Sequence, residues 1–382
     1  MIIEGIDINC GKPKRITLEK GIITGIQPIQ STSNPIYISR GFFDMQVNGY
    51  CGIDYSDNNL DLLQIRHLVE ILASSGTTKH VPTIITNSKE LICRNLRIIA
   101  DAVQSDPLIR QAIPAIHVEG PFISKEDGPR GAHDKAFVRD ASIQELDSWQ
   151  KAAGSLLKLV TIAPEVNNAV AFTKEAVARG IRIAIGHANP TDEQLDAIME
   201  AGATLSTHLG NGSHALLPRL RNHIWKQAAD DRLSAGIIAD GFHVPHSILR
   251  TFHRTKGIDK LILVSDVALL GGKKPGQYKW GNIDVEVFSD GHLGLPGTSL
   301  LAGAGHLLDW DIKVFMDATG ESLNQVMRTV TTNPAEALGL PYQCGDLKVG
   351  EMVDLIAFSV GDNRLQIFDT WIGTNHYAGV AR

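Results

Sequence analysis

The chain has 382 residues, 43% of them hydrophobic, which suits a barrel-sized core with a small appendage better than one minimal domain. Its formal net charge of −6 argues against attachment to nucleic acid or to an anionic membrane. It leaves an anionic small substrate open, because one pocket can be positive on an acidic protein.

The start, "MIIEGIDINCGKPKRITLEKG", alternates apolar and polar residues and lacks the charged-then-apolar layout of a signal segment. No apolar run approaches the ~20 residues that a membrane span needs. Cys10, Cys51, Cys93 and Cys344 lie far apart with no Cys-x-x-Cys pair, and they read as reduced thiols of a cytoplasmic protein. For Cys51, which sits near a motif of interest, packing is the expected role.

In chain order, the first forty residues are short β-type runs broken by Gly and Pro: "MIIEGIDI", "RITLEKGIITGIQPI", "IYISRG". From "GFFDMQVNG" onward the rhythm changes. The segment "LDLLQIRHLVEILASSG" places Leu62, Ile65, Leu68, Val69 and Leu72 at helical spacing. Then come "TTKHVPTIIT" and the helical "SKELICRNLRIIADAV". Strand-like runs continue as "QAIPAIHVEG", "LLKLVTIAPE", "IRIAIGHANP", "ATLSTHLGNG", "LSAGIIADGFHV" and "KLILVSDV". Eight apolar runs separated by helices are the pattern of a parallel sheet covered on its outside. The expectation is an α/β chain whose residues 42–342 form a (β/α)8 TIM barrel. The stretch "GDLKVGEMVDLIAFSVGDNRLQIFDTWIGTNHYAG" returns to all-β character with closely spaced turns. Residues 1–41 and 343–382 are therefore expected to pair into a small β-sandwich-like domain.

Chemistry in such barrels sits at the C-terminal ends of the strands. Those positions hold Asp44, Gln46 and Asn48 on strand one, His80 and Thr83 on strand two, and Glu119 on strand three. Glu165, His187 and His208 end strands four, five and six. Asp240 and His243 end strand seven, and Asp266 ends strand eight. Each alone has a bland reading as a packed or solvated strand end. Together, Glu119, His187 and His208 supply one carboxylate and two imidazoles, a common catalytic zinc set with one position open for water. Asp266 faces them as a general base should. His117, two residues before Glu119, points to the same side one layer deeper and is expected to pack there; His80 is similarly ambiguous.

The motifs "GFFDMQVNG", "HVEGPF", "GAH", "GHANPT", "THLGNG", "DGFHV" and "VSDV", in that order, resemble the amidohydrolase superfamily, and within it the N-acetylglucosamine-6-phosphate deacetylase family, over nearly the whole chain. The resemblance implies Glu119, His187 and His208 as metal ligands and Asp266 as the catalytic aspartate. It implies His133 as the contact to the substrate amide, and His243 and Asn211, with Gly212 beside it, as substrate-binding residues. Two-metal members carry His-x-His on strand one, whereas this chain has Gln46-Val47-Asn48. Neutral amides are poor ligands for a second divalent ion. One metal per subunit is expected, zinc first, with iron, cobalt or manganese suited to the same set. Gln46 and Asn48 are then expected to support a ligand or a water.

Departures from the family pattern concentrate after strand six. In "THLGNGSHALLPRLRNHIWKQAADDRLSAG" no Glu-Pro-Gly follows an arginine. Arg219 and Arg221 lie near the offset where the family places a phosphate-binding arginine, and either suits bidentate contact or a plain surface charge. His306, in "TSLLAGAGHLLDW", stands where a small or apolar residue is commoner, and packing is its expected role. The resemblance thus implies a cytoplasmic homodimer that deacetylates a small amino-sugar substrate, N-acetylglucosamine 6-phosphate. Another or an unphosphorylated N-acetyl amino sugar, or a further amidohydrolase-type amide, is the alternative.

Overall fold

The computed structural model describes residues 1–32, 36–281, 283–298, 300–340 and 346–379. Cys344 and the expected boundary at residue 343 fall outside the described residues. Eight parallel strands follow one another in chain order around a barrel: Phe42–Val47, Thr77–Ile85, Ile116–Glu119, Leu157–Ile162, Arg182–Ile185, Leu205–Ser206, Ser234–Ile237 and Leu261–Leu263. Past the last of these the chain reaches strand one again. Val47 bridges Val267 in parallel, and Asp266 N–H donates to the Gln46 carbonyl at 3.0 Å. The ends of strands one and eight, which carry Gln46, Asn48 and Asp266, therefore become neighbours.

The covering helices follow from local sequence. Helix Leu62–Ala73 is started by a capping box, in which Asp61 Oδ1 accepts from Gln64 N–H (2.8 Å) and Gln64 Oε1 from Asp61 N–H (3.1 Å). Its buried face is Ile65, Leu68, Val69, Leu72 and Ala73; of the five positions its spacing predicts, Leu62 alone, in the first turn, is exposed. Helix Lys89–Ser105 likewise has Ser88 as its cap. Cys51 packs, half-buried, against the same core.

The terminal segments meet in one seven-stranded sheet. Its N-terminal members are Ile2–Asp7, Lys12–Glu19, Ile22–Pro28 and Tyr37–Ser39, and its C-terminal members are Asp354–Val360, Leu365–Ile372 and Asn375–Ala378. The two groups join through Tyr37–Ser39, which runs parallel to the first strand and antiparallel to Asp354–Val360. The sheet curls until Ile22 bridges Met352, enclosing its own core of Ile16, Ile23, Ile38, Leu355 and Trp371.

A buried ion pair fixes this sheet to the barrel floor. Lys79 of strand two meets Asp354, which also accepts from Thr78 Oγ1 (2.6 Å) and Gly41 N–H (3.2 Å). Burial alone raises the Asp354 carboxyl, but the Lys79 charge outweighs it and holds the group below its ordinary value. Removing one partner leaves a buried charge uncompensated. Lys79→Met should therefore lower unfolding free energy by about 3–5 kcal/mol in a guanidinium titration; a loss under about 1 kcal/mol, the scale of an exposed pair, would show that the pair does not fasten the sheet.

One element was not expected. Between strand eight and the last barrel helices, Gly276–Trp280, Ile283–Val287 and Leu293–Gly294 form a three-stranded antiparallel insert. It rises on the side of the barrel where the strands end. Among the described residues, no helix is long and apolar enough to cross a membrane.

Candidate active site

Glu119, His187 and His208 arrive from the ends of strands three, five and six and converge at the barrel mouth. Glu119 Oε1 lies 3.2 Å from His187 Nε2 and 3.1 Å from His208 Nε2, and the two nitrogens are 3.0 Å apart. Tetrahedral ligands at 2.0–2.1 Å from a zinc ion stand about 3.3 Å from one another. The triangle has nearly that edge.

The hydrogen bonds around the triangle sort ligands from donors. His187 Nδ1 lies 2.9 Å from the Pro129 carbonyl, which can only accept. The proton therefore sits on Nδ1, and the Nε2 lone pair faces the centre, as a metal ligand requires. His133 is oriented the opposite way. Its Nδ1 faces the Thr86 backbone N–H at 3.4 Å and the Thr86 hydroxyl at 2.7 Å. Nδ1 is thus the acceptor, and Nε2–H points inward, 3.2 Å from His187 Nε2. By distance alone Glu119, His133 and His187 could share an ion, but this tautomer makes His133 a proton donor to the cavity. Burial, with the neighbouring His187, holds His133 well below its ordinary pKa and therefore neutral.

Two glycines leave room for this arrangement. A Cβ on Gly120 (φ +75) would lie 2.2 Å from Thr86 Oγ1, and one on Gly212 (φ +59) 2.9 Å from His187 Nδ1. Among the described residues only six non-glycines have positive φ, and His187 (52°), His208 (29°) and Asp266 (50°) are three of them. Such backbone costs energy for ordinary residues and collects at functional sites. Here it turns each strand-end side chain back over the barrel axis.

Asp266 completes the ring. Its Oδ1 accepts from Asn48 Nδ2 at 2.7 Å and from Gln46 Nε2 at 2.8 Å, and the same Gln46 amide reaches Glu119 Oε2 at 3.1 Å. Gln46 thus ties Asp266 to Glu119 through one amide. Burial first, then the Glu119 charge, pushes the Asp266 carboxyl above its ordinary value, the direction that suits a group that must take up a proton and give it back. His243 is held by Asp240, whose Oδ2 accepts from Nδ1–H at 2.7 Å, so Nε2 is left as an acceptor. Burial works to raise the Asp240 carboxyl, but the hydrogen bonds it accepts from the His243 side chain and from the His243 and Phe242 backbone outweigh it and keep the group below its ordinary value.

These groups share one cavity of about 340 Å³, and Asn211, Gly212 and His243 lie on its wall. Arg219 and Arg221 do not; both are exposed on the loop after strand six. Glu165 turns away to accept from Asn189 N–H at 2.7 Å. His80 is buried against the Tyr55 hydroxyl (2.7 Å), and His117 packs beneath the triangle between Thr161 (2.8 Å) and Thr83 (3.3 Å). The insert contributes Trp280, and the segment after it Leu300 and Leu301, to the cavity wall. Sequence reading missed these. The alternation in "GQYKWGNIDVEV" is the signal that could have found them.

Residues 41–382 match the Amidohydrolase family. The chain belongs to the amidohydrolase family. Among curated relatives it is similar to the N-acetylglucosamine-6-phosphate deacetylases of Danio rerio (31% identity, covering 88% of this chain and 83% of the relative) and of Bacillus subtilis (28%, covering 93% and 88%). Among solved structures it resembles a variant of the Mycobacterium smegmatis N-acetyl-D-glucosamine-6-phosphate deacetylase in complex with N-acetyl-D-glucosamine-6-phosphate. That match has a TM-score of 0.85 at 25% identity and covers 98% of each chain. This amidohydrolase therefore shares its family's metal dependence, and Glu119 with two histidines offers the donors.

Proposed function

We propose that this amidohydrolase hydrolyses the acetamide of N-acetylglucosamine 6-phosphate to glucosamine 6-phosphate and acetate, using one divalent ion per subunit, zinc first, held by Glu119, His187 and His208. Iron, cobalt or manganese suit the same donors. The observation that carries the reading is the convergence of these three ligand atoms beside an inward-pointing His133 N–H and the Asp266 carboxylate. When bound, the ion supplies a Lewis acid that polarises the carbonyl and lowers the pKa of water from about 15.7 towards ~7.

The chain's own groups do the rest. Asp266 Oδ1 is occupied by two amide donors, so Oδ2 takes the proton of the attacking water. His133 Nε2–H donates to the oxyanion as the carbonyl becomes tetrahedral. Asp266 then hands its proton to the departing amine, which leaves poorly without it. His243 Nε2 accepts from a sugar hydroxyl, while Asn211 and Gly212 line the sugar's far side. Similarity to the deacetylases supports the substrate.

The phosphate is the part with an alternative. Arg219 and Arg221 stand off this chain's cavity, which favours either an unphosphorylated substrate or delivery of the arginine by a second copy. The loop carrying them exposes Leu216 (91%) and Leu220 (79%), and a homodimer would cover these apolar side chains. A homodimer in the cytoplasm is the assembly we favour. Acetate release from N-acetylglucosamine 6-phosphate and from N-acetylglucosamine, compared on zinc-loaded protein, tests the reading. A preference for the phosphorylated sugar of about 10²-fold in kcat/KM is expected, the scale of one charge-assisted contact of some 3 kcal/mol. Equal or reversed preference would leave a deacetylase without a phosphate site.

A further inference from the structure

Six groups from four parts of the chain stack into one column beside the cavity. In the insert, Phe288 and His292 have centroids 4.1 Å apart and planes within 7°. His292 stacks on Phe242 at 4.6 Å and 23°, and Phe242 on His306 at 5.7 Å and 10°. His306 stacks in turn on Trp310 at 4.3 Å and 13°, and the Arg364 guanidinium of the terminal sheet caps that indole at 5.3 Å. Of the six, only Phe242 belongs to the turn that presents His243.

That turn is locked from within. Phe242 N–H and His243 N–H both donate to Asp240 Oδ1 at 2.8 Å, and His243 Nδ1–H donates to Oδ2. The column then fixes it from outside: Trp310 Nε1–H donates to the Asp240 carbonyl at 3.1 Å, and the Phe242 ring is sandwiched between His292 and His306.

We infer that His306 is a positioning residue, the flat spacer between Trp310 and Phe242 that sets where His243 Nε2 points into the cavity. Its ring is 6% exposed, and its Nε2 has no hydrogen-bond partner among the described residues. The ring is therefore not held for a polar contact of that nitrogen. Burial pushes its pKa down to about 4, so it stacks as a neutral ring. The insert is shaped around it: a Cβ on Gly291 (φ +91) would lie 2.9 Å from His306 Cε1. Without the ring, a slot opens between Phe242 and Trp310, and Phe242 can settle into it and rotate the turn. The same column ties the insert that bears Trp280 to that turn, so this wall of the cavity moves as one piece. Stacked rings favour such offset, near-parallel geometry and lose it when one layer becomes aliphatic.

The role rests on the proposed contact between His243 and substrate, so the test separates the two. On full-length, zinc-loaded protein, the imidazole ¹⁵N resonances of His243 report its tautomer without any turnover. Wild type and His306→Phe should show the Nδ1-protonated form; His306→Leu, which fills the volume without a flat ring, should show a mixture, as should His306→Ala if it folds. With N-acetylglucosamine 6-phosphate, His306→Leu should raise KM about tenfold with kcat within about threefold, and should add nothing to His243→Ala, as for residues acting through one contact. His306→Phe should restore KM. An unchanged His243 signal in His306→Leu, or full additivity with His243→Ala, overturns the inference. If His243→Ala itself leaves KM unchanged, the substrate contact falls, and the resonances still decide whether His306 positions the ring.

Discussion

Asp266→Asn should lower kcat by about 10²- to 10⁴-fold, the range of a lost general acid–base group, with KM and metal content nearly unchanged. The expectation follows from geometry. Asn48 and Gln46 hold Oδ1 from one side, and an asparagine oxygen can take the same place, so the local structure survives. What disappears is the basic oxygen facing the cavity. An amide cannot take the proton of the attacking water or return one to the amine. Turnover with and without the substitution, beside metal analysis of both proteins, checks this. Near-normal turnover with metal retained would remove Asp266 from the chemistry.

Glu119→Gln should act one step earlier, on metal retention. Glu119 is the single anion of the triangle, with both Nε2 atoms about it. Burial alone raises its carboxyl, yet the two imidazoles outweigh that and hold it well below the ordinary range. The site is built around a negative charge. Losing even an outer partner of a ligand weakens metal binding 10- to 100-fold, so losing the ligand should exceed about 10² in affinity, with activity following occupancy. Competition with a chelator measures it. Wild-type affinity in Glu119→Gln would mean that another carboxylate is the ligand.

The strand-end groups were legible because each follows an apolar run that fixes its position. Glu119, His187, His208 and Asp266 each sit one to three residues beyond the last strand residue or at it, and the eight-strand count puts them on one face. Pairwise detail was not legible. Nothing near His133 in sequence announces Thr86, 47 residues away, and the choice between ligand and donor rests on that hydrogen bond. The insert escaped because its alternating strands are short and, in the first two, only Val285 and Val287 are buried, so no long apolar run marks them. The stacked column escaped because its members come from places 242 to 364 in the chain, with no local period. Arg219 and Arg221 were legible only as an offset from His208, and the loop places both away from the cavity of their own chain.

The curled terminal sheet bears on how the polypeptide is made. Tyr37–Ser39 pairs with residues 356–358, so its partner is synthesised some 320 residues later. At about 5–20 residues per second that is a wait of roughly 15–60 s on the ribosome. Throughout it, the N-terminal strands present Tyr37–Ser39 as an open edge able to pair with another chain, and the Asp354 that neutralises Lys79 does not yet exist. The nascent barrel is thus open to misassembly through that whole interval, and a chaperone that shields an unpaired edge has its natural window there.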